Sequence, residues 1–206
     1  MDFIVYIIIG LTVFVSYISW KNNALFEKYL FSAYRIVHYH EYFRLISHAF
    51  LHANWVHLLV NMLVLWSFGE ALMVYFGFVF GQFAALHWLV LYVTSVVASS
   101  VYSLLKHRNN AWYSAVGASG ATSAIVFACL VFDPWNMIYF FGVIPIPGIL
   151  FGVIYLIYSY RQGRRGTDNI GHDAHFWGAI FGFAYPLIMK PALIIHFINT
   201  ISNLPF

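Results

Sequence analysis

The feature that most constrains this chain is the recurrence of apolar stretches nearly as long as a bilayer is thick. A helix needs about 20 predominantly apolar residues to cross the hydrocarbon core. Only 8% of the residues are charged, against about 25% in a soluble domain, so the chain cannot cover itself with a wetted surface. The sequence therefore predicts an all-α integral membrane protein, a bundle of six transmembrane helices. The six candidate spans lie at about 3–20, 55–76, 80–105, 119–132, 147–160 and 174–189.

The organisation between these spans is that of one membrane domain covering residues 1–206, since no internal repeat or low-complexity tract is visible. The long first loop, 21–54, mixes basic, histidine and aromatic side chains and is expected to lie in the membrane interface. Residues 1–20 lack the basic start and cleavage site of a signal peptide, which predicts a retained helix. The tail, 191–206, is apolar but short, and the pattern does not place it.

Charge bears on both partners and orientation. The net charge is +3 and no basic run is interleaved with aromatics, so membrane lipids and membrane proteins are expected as partners, not nucleic acid. Nine of the ten Lys and Arg residues fall in the first, third and fifth loops, and Lys190 falls on the opposite face. Taken alone, the positive-inside rule puts those odd-numbered loops in the cytoplasm. The single cysteine, Cys129, excludes an intramolecular disulfide.

Polar and small residues interrupt the second, fourth and sixth spans. Polar groups within a membrane are candidates for function because their burial is costly. Small residues instead allow two helix backbones to approach closely. The polar candidates are His57, Asn61, Ser119 and His175, and the glycines predicted to pack helices are Gly117, Gly120, Gly178 and Gly182.

A depth estimate brings three of these polar groups to one level. Ser119 lies 14 residues before Asp133, and His175 lies 15 residues before Lys190. At about 1.5 Å per residue, both lie about 21–22 Å from the surface that Asp133 and Lys190 mark. In a core about 30 Å thick, that is about 8–9 Å below the odd-loop surface, and Asn61 falls at a similar depth. The sequence therefore predicts a shared polar cavity.

The chemistry of these groups favours hydrolysis by a serine. A serine hydroxyl needs a base to take its proton, and histidine suits that role near neutral pH. The resulting oxyanion needs preorganised donors, which the side chains of His57 and Asn61 and the Ser119 backbone N–H can supply. If its segment is helical, Asp173 lies on the side opposite His175, so a Ser-His dyad is expected and no metal or cofactor is implied.

Three separated motifs resemble those of the rhomboid intramembrane serine proteases. "HAFLHANWVHLLVN" resembles the family's second-span pattern, "GASG" its GxSG nucleophile motif, and "AHFWGAIFG" its AHxxGxxxG sixth-span motif. The resemblance implies a rhomboid-like six-helix fold that cleaves the transmembrane segments of other proteins. It implies that Ser119 is the nucleophile, that His175 is the general base, and that His57 and Asn61 serve the oxyanion hole. It also makes Arg44 a structural arginine of the first loop.

The sequence departs from the family pattern at Ser123, where some relatives carry an aromatic residue that stacks on the base. Its absence leaves the orientation of His175 to packing by a neighbour such as Phe176 or Trp177. The resemblance also predicts a bacterial plasma membrane. Rhomboids usually open their active site to the exterior, whereas the basic odd loops here argue for the interior, so the orientation stays open.

Three other functions stay open at the level of sequence. A catalytically inactive relative would bind transmembrane clients without cleaving them. Ten histidines allow a histidine-ligated metal or haem protein, although there is no HExxH motif. A transporter or channel would also use polar groups within the membrane, although repeated halves are not visible.

Overall fold

The architecture is taken from a computed structural model that describes residues 3–140, 142–166 and 170–203. The described chain is mostly helical, and two short 3-10 turns, His48–Phe50 and Gly81–Phe83, precede longer helices. The helices are α1 (Ile4–Lys21), α2 (Asn23–Tyr29), α3 (Ala33–Tyr39), α4 (Arg44–Ser47), α5 (Trp55–Phe80), α6 (Ala84–His107), α7 (Ser119–Phe132), α8 (Gly148–Arg165), α9 (His172–Met189) and α10 (Ala192–Ser202). Two strands, β1 (Met137–Phe140) and β2 (Ile144–Pro147), lie between α7 and α8.

Few of these helices can cross a bilayer by length and composition. Within the described residues, α1 and the helical run Trp55–His107 meet both criteria, and α9 meets them only together with α10. The run contains α5 and α6, which fold back on each other so that Trp88 Nε1 donates a hydrogen bond of 3.0 Å to the Gly69 carbonyl. Helix α7 is apolar but has only 14 residues. The number of six spans therefore stays a prediction.

Helix α7 is the centre of the molecule. Every residue from Gly120 to Phe132 is buried, and the helix packs against α5, α6 and α9. A helix that is apolar on all sides is stable only when other helices surround it. Ser119 begins this helix and therefore lies where the buried core meets the loop that precedes it.

The first loop is folded around a buried arginine. Asn22 and Ser32 cap α2 and α3 through their side-chain oxygens. Arg44 is 1% exposed, and its Nη1 donates to the carbonyls of Leu30 at 2.7 Å and Glu27 at 3.0 Å. Its guanidinium thus satisfies backbone acceptors that short helices leave unpaired. The interfacial position of this loop stays a prediction.

The segment after α7 departs from the all-α expectation. Strand β2, "IPIP", pairs antiparallel with β1, so that Met137 lies opposite Pro147 and Phe140 opposite Ile144. Pro145 and Pro147 have no N–H to donate, which prevents a helix through this segment and limits the ladder. A short hairpin therefore precedes α8.

The structure places most of the tail, which the sequence left unplaced. Helix α10 follows Pro191 at a bend of 117° from α9. Its His196 Nε2 lies 2.9 Å from the Phe132 carbonyl, and Trp135 Nε1 donates to the Thr200 carbonyl at 2.9 Å. Helix α10 therefore covers the C-terminal end of α7.

Candidate active site

Helices α7 and α9 pack with their backbones in direct contact. A Cβ atom built on Gly178 would overlap the carbonyl oxygen of Gly120, and one built on Gly182 would overlap the backbone of Ala124. Only glycine at 178 and 182 lets the two backbones touch in this way. The spacing of four residues puts both glycines on one face of α9.

Helix α6 contributes a further small face to the same contact. A Cβ on Gly120 would overlap the Ser99 side chain, whose Oγ donates to the Val96 carbonyl at 3.1 Å. Ser95, Ser99 and Ser103 are buried at intervals of four residues. This spacing is a sequence signal that α6 also packs closely, and it lies outside the motifs named above.

Ser119 and His175 lie on the two sides of this helix contact. Ser119 precedes Gly120, and His175 follows Ala174, whose carbonyl oxygen would be 3.3 Å from a Cβ on Gly120. Both residues are half-buried. The two residues proposed from the sequence therefore belong to neighbouring helices, each adjacent to a residue of the contact.

The ring that faces His175 was not predicted. The Tyr155 ring, from α8, lies 6.2 Å from the His175 ring at an interplanar angle of 24°. The His172 ring also lies beside it, at 5.8 Å and 82°. Phe176 and Trp177, which the sequence suggested as packing neighbours, contact instead the rings of Tyr160 and Tyr102, respectively, and each other.

Ser123 links the Tyr155 phenol to the start of α7. The Tyr155 hydroxyl lies 2.6 Å from Ser123 Oγ, which donates to the Ser119 carbonyl at 2.8 Å. Thr122 Oγ1 has one proton, which it shares between the same carbonyl at 3.0 Å and Asn61 Oδ1 at 3.2 Å. Nothing in the sequence pattern connects position 155 with these residues, since the link depends on how α8 is placed.

His57 and Asn61 lie beside the first turn of α7. Helix α5 begins after Asn54, and the His57 ring rests on Gly117, where an added Cβ would be 2.7 Å from His57 Cε1. Buried Asn61 donates from Nδ2 to the His57 carbonyl at 2.9 Å and accepts from Thr122 Oγ1 at 3.2 Å. Gly117 precedes α7 with a φ of 117°, and a Cβ atom added to it would meet this ring.

The loop before Ser119 is held by the first loop of the chain. Phe31 and Ala115 exchange two backbone hydrogen bonds, of 2.9 and 3.1 Å. The Gly117 N–H donates to the His48 carbonyl at 3.0 Å, and His48 Nδ1 lies 2.9 Å from the Arg44 carbonyl. The buried arginine therefore supports the GASG segment through His48.

Ion pairs occur at the start of α9 and in the first loop. The Asp173 carboxylate pairs with Lys106 Nζ at 2.8 Å, which joins α9 to α6. In the first loop, hydrogen bonds from Arg35 and Arg44 lower the pKa of Glu41 to about 2. Among the described residues, no group of three or more His, Cys, Asp or Glu side chains could hold a metal ion.

Comparison with known proteins identifies the family. A family model described as "Rhomboid domain" matches residues 39–192, which include every candidate residue named above. The chain belongs to the rhomboid family. Its rhomboid domain thus extends from the first loop to the end of α9.

Three curated rhomboids that it resembles come from a plant and a yeast. It is 29% identical to "RHOMBOID-like protein 12, mitochondrial" of Arabidopsis thaliana, over 71% of this chain and 46% of that protein. It is 29% identical to "Rhomboid protein 1, mitochondrial" of Saccharomyces cerevisiae, over 72% and 42%, respectively. A third, "RHOMBOID-like protein 4" of Arabidopsis thaliana, is 32% identical over 76% of this chain and 37% of that protein.

Two consequences follow for this rhomboid. The matched region spans less than half the length of each of these relatives, so their activities and partners do not transfer as a whole. The relatives are eukaryotic, and two carry "mitochondrial" in their names, so the predicted bacterial plasma membrane finds no support in them. The assignment as a membrane protein stands on the family and on the apolar helices.

Proposed function

We propose that this rhomboid is an intramembrane serine endopeptidase in which Ser119 is the nucleophile and His175 the general base. The observation that carries the proposal is the backbone contact of α7 with α9 at Gly120 and Gly178. A hydroxyl and an imidazole on separate helices can come within about 3 Å only when those helices pack this closely. The contact lies next to both residues.

The reaction follows from the groups around the first turn of α7. His175 takes the Ser119 hydroxyl proton as the oxygen attacks the substrate carbonyl carbon. The Ser119 backbone N–H, the His57 ring and the Asn61 amide are donors for the oxyanion. His175 then gives its proton to the leaving amine, which yields an acyl-enzyme. Water, with its proton taken by His175, hydrolyses that ester and restores Ser119.

The substrates would be transmembrane segments of other proteins that enter from the surrounding lipid. The carbonyls of a membrane helix are hydrogen-bonded within the helix, so the segment has to unwind locally before one can be attacked. The resemblance to rhomboids favours small residues near the cut and helix-weakening residues beyond it. The proposal keeps six spans, with water reaching the dyad from the odd-loop face.

The test is fluorophosphonate labelling of the purified protein in detergent. We expect the wild type to be labelled and Ser119→Ala and His175→Ala to be unlabelled. Ser114→Ala, which removes an exposed hydroxyl five residues earlier, should be labelled like the wild type. Equal labelling of Ser119→Ala and wild type would remove the nucleophile assignment. An unlabelled wild type that still binds transmembrane segments would instead indicate an inactive, client-binding rhomboid.

A further inference from the structure

We propose that Tyr155 of α8 is a positioning residue that holds the His175 ring and is itself anchored through Ser123 to the backbone of Ser119. The inference rests on the proposed function, because it assigns to Tyr155 the orientation of that function's general base. It adds a residue from α8 to a site otherwise made of α5, α7 and α9.

The rings of Tyr155 and His175 contact each other. A centroid distance of 6.2 Å and an angle of 24° describe an offset, nearly parallel pair. Aromatic rings prefer offset stacking to a face-to-face sandwich, and such contacts occur at about 4.5–7 Å. A ring on one face of the imidazole restricts rotation about the His175 side-chain bonds. The base nitrogen then keeps one direction between turnovers.

The hydrogen bonds of Ser123 with Tyr155 and Ser119 have a fixed direction. Ser123 Oγ carries one proton, which it donates to the Ser119 carbonyl. The bond of 2.6 Å between the hydroxyls of Ser123 and Tyr155 must then use the proton of the phenol. The tyrosine therefore donates to the serine, and the serine donates to the backbone of the proposed nucleophile.

The short side chain of Ser123 leaves space for the Tyr155 phenol. Ser123 is buried on the first turn of α7, and its side chain is short enough for the Tyr155 phenol to reach it from α8. An aromatic side chain at 123 would occupy that space. The serine that departs from the family pattern is thus the partner that admits an aromatic ring from another helix.

One side chain therefore links the two halves of the proposed dyad, by direct contact with His175 and through Ser123 to Ser119. The ring of Tyr155 contacts the base, and its hydroxyl reaches the backbone of the nucleophile through Ser123. The position of α8 relative to α7 and α9 consequently sets the orientation of His175. Displacement of α8 would separate the ring from the imidazole.

The test compares three variants by their rate of fluorophosphonate labelling. Tyr155→Leu removes ring and hydroxyl, and we expect labelling to slow by about tenfold or more, part of the 10²–10⁴ that a positioned base contributes. Tyr155→Phe keeps the ring and should lose only about two- to threefold, the effect of one hydrogen bond. Tyr160→Leu is the matched control, since Tyr160 also belongs to α8 and packs on Phe176, the residue that follows His175.

A spectroscopic measurement separates positioning from general stability. The ring C–H signals of histidines are recorded by NMR in detergent micelles, and His175 is assigned by its loss in His175→Ala. We expect its signal to move in Tyr155→Leu, because the ring current of Tyr155 is removed, and to stay near the wild-type position in Tyr160→Leu and Tyr155→Phe.

Two results would overturn the inference while leaving the proposed function intact. One is that the wild type is labelled and Tyr155→Leu is labelled at the same rate. The other is that Tyr155→Leu and Tyr160→Leu lose the same factor in labelling rate. An unlabelled wild type removes the proposed function and this role together. If Tyr155→Leu does not fold, Tyr155→Phe and Ser123→Ala are compared with their double variant. The double variant should be no slower than Ser123→Ala alone, because Ser123→Ala already removes the one bond that Tyr155→Phe breaks. Additive losses would refute the anchoring.

Discussion

Replacement of Gly178 by alanine tests the close packing on which the site depends. The new methyl group would collide with the carbonyl oxygen, carbonyl carbon and Cα of Gly120. These are backbone atoms of a buried helix, so they cannot rotate away as a side-chain tip could. The helices would have to separate by about 1 Å to restore ordinary contact distances.

The change in stability caused by Gly178→Ala is the difference between two opposing effects. Overpacking of a tight interior costs about 1–3 kcal/mol. The higher helix propensity of alanine stabilises the helix by at most about 1 kcal/mol. If that gain is realised in full, we expect a net loss of about 0–2 kcal/mol of stability. The effect on chemistry is larger, because a displacement of 1 Å between reacting groups can cost about 10²-fold in rate.

The assays are the rate of fluorophosphonate labelling and denaturant unfolding in micelles. Gly10→Ala is the matched control, because Gly10 is exposed within α1 and an added Cβ would meet nothing within 4 Å. It should keep wild-type labelling and gain up to about 1 kcal/mol in stability. The reasoning is refuted if Gly178→Ala labels as fast as Gly10→Ala, since the helix contact would then not control the distance between Ser119 and His175.

Three further predictions concern the first loop and the oxyanion donors. Arg44→Met should lower the free energy of unfolding by about 3 kcal/mol, because it leaves the buried Leu30 carbonyl and the Glu27 carbonyl without this donor, whereas exposed Arg35→Met should cost less than about 1 kcal/mol. Arg35 and Arg44 lower the pKa of Glu41 from 4.5 to about 2, so its contribution to stability is complete above pH 4.5 and is lost as the pH falls towards 2. Glu41→Gln should remove that part of the acid dependence in thermal unfolding scans. Asn61→Ala should slow labelling by about 10²–10³-fold, and an unchanged rate would exclude its amide from the oxyanion hole.

The elements that carry the motifs were predictable, because each has a local signal. The start of α7 at Ser119 and its end at Phe132 agree with the predicted span 119–132, since Gly117 precedes it and Asp133 ends it. The start of α5 at Trp55 follows from the capping side chain of Asn54. The family assignment also rested on local motifs, and the match over 39–192 confirms it.

The features that were missed depend on contacts between distant segments. The contact of Tyr155 with His175 requires the relative placement of α8 and α9, on which periodicity says nothing. The hairpin before α8 joins two short strands whose pairing is not local. The position of α10 is set by bonds to Phe132 and from Trp135, about 65 residues away.

The complete burial of α7 has a consequence for how this protein can change over generations. Helix α5 turns Val56, Leu59, Val60 and Leu63 outwards, so a saturation library should tolerate many apolar replacements along that stripe. From Gly120 to Phe132, α7 has no outward stripe of this kind. Few substitutions should therefore be tolerated at any of these thirteen positions. Substitutions that adapt the protein to new clients should accumulate on the helices around α7.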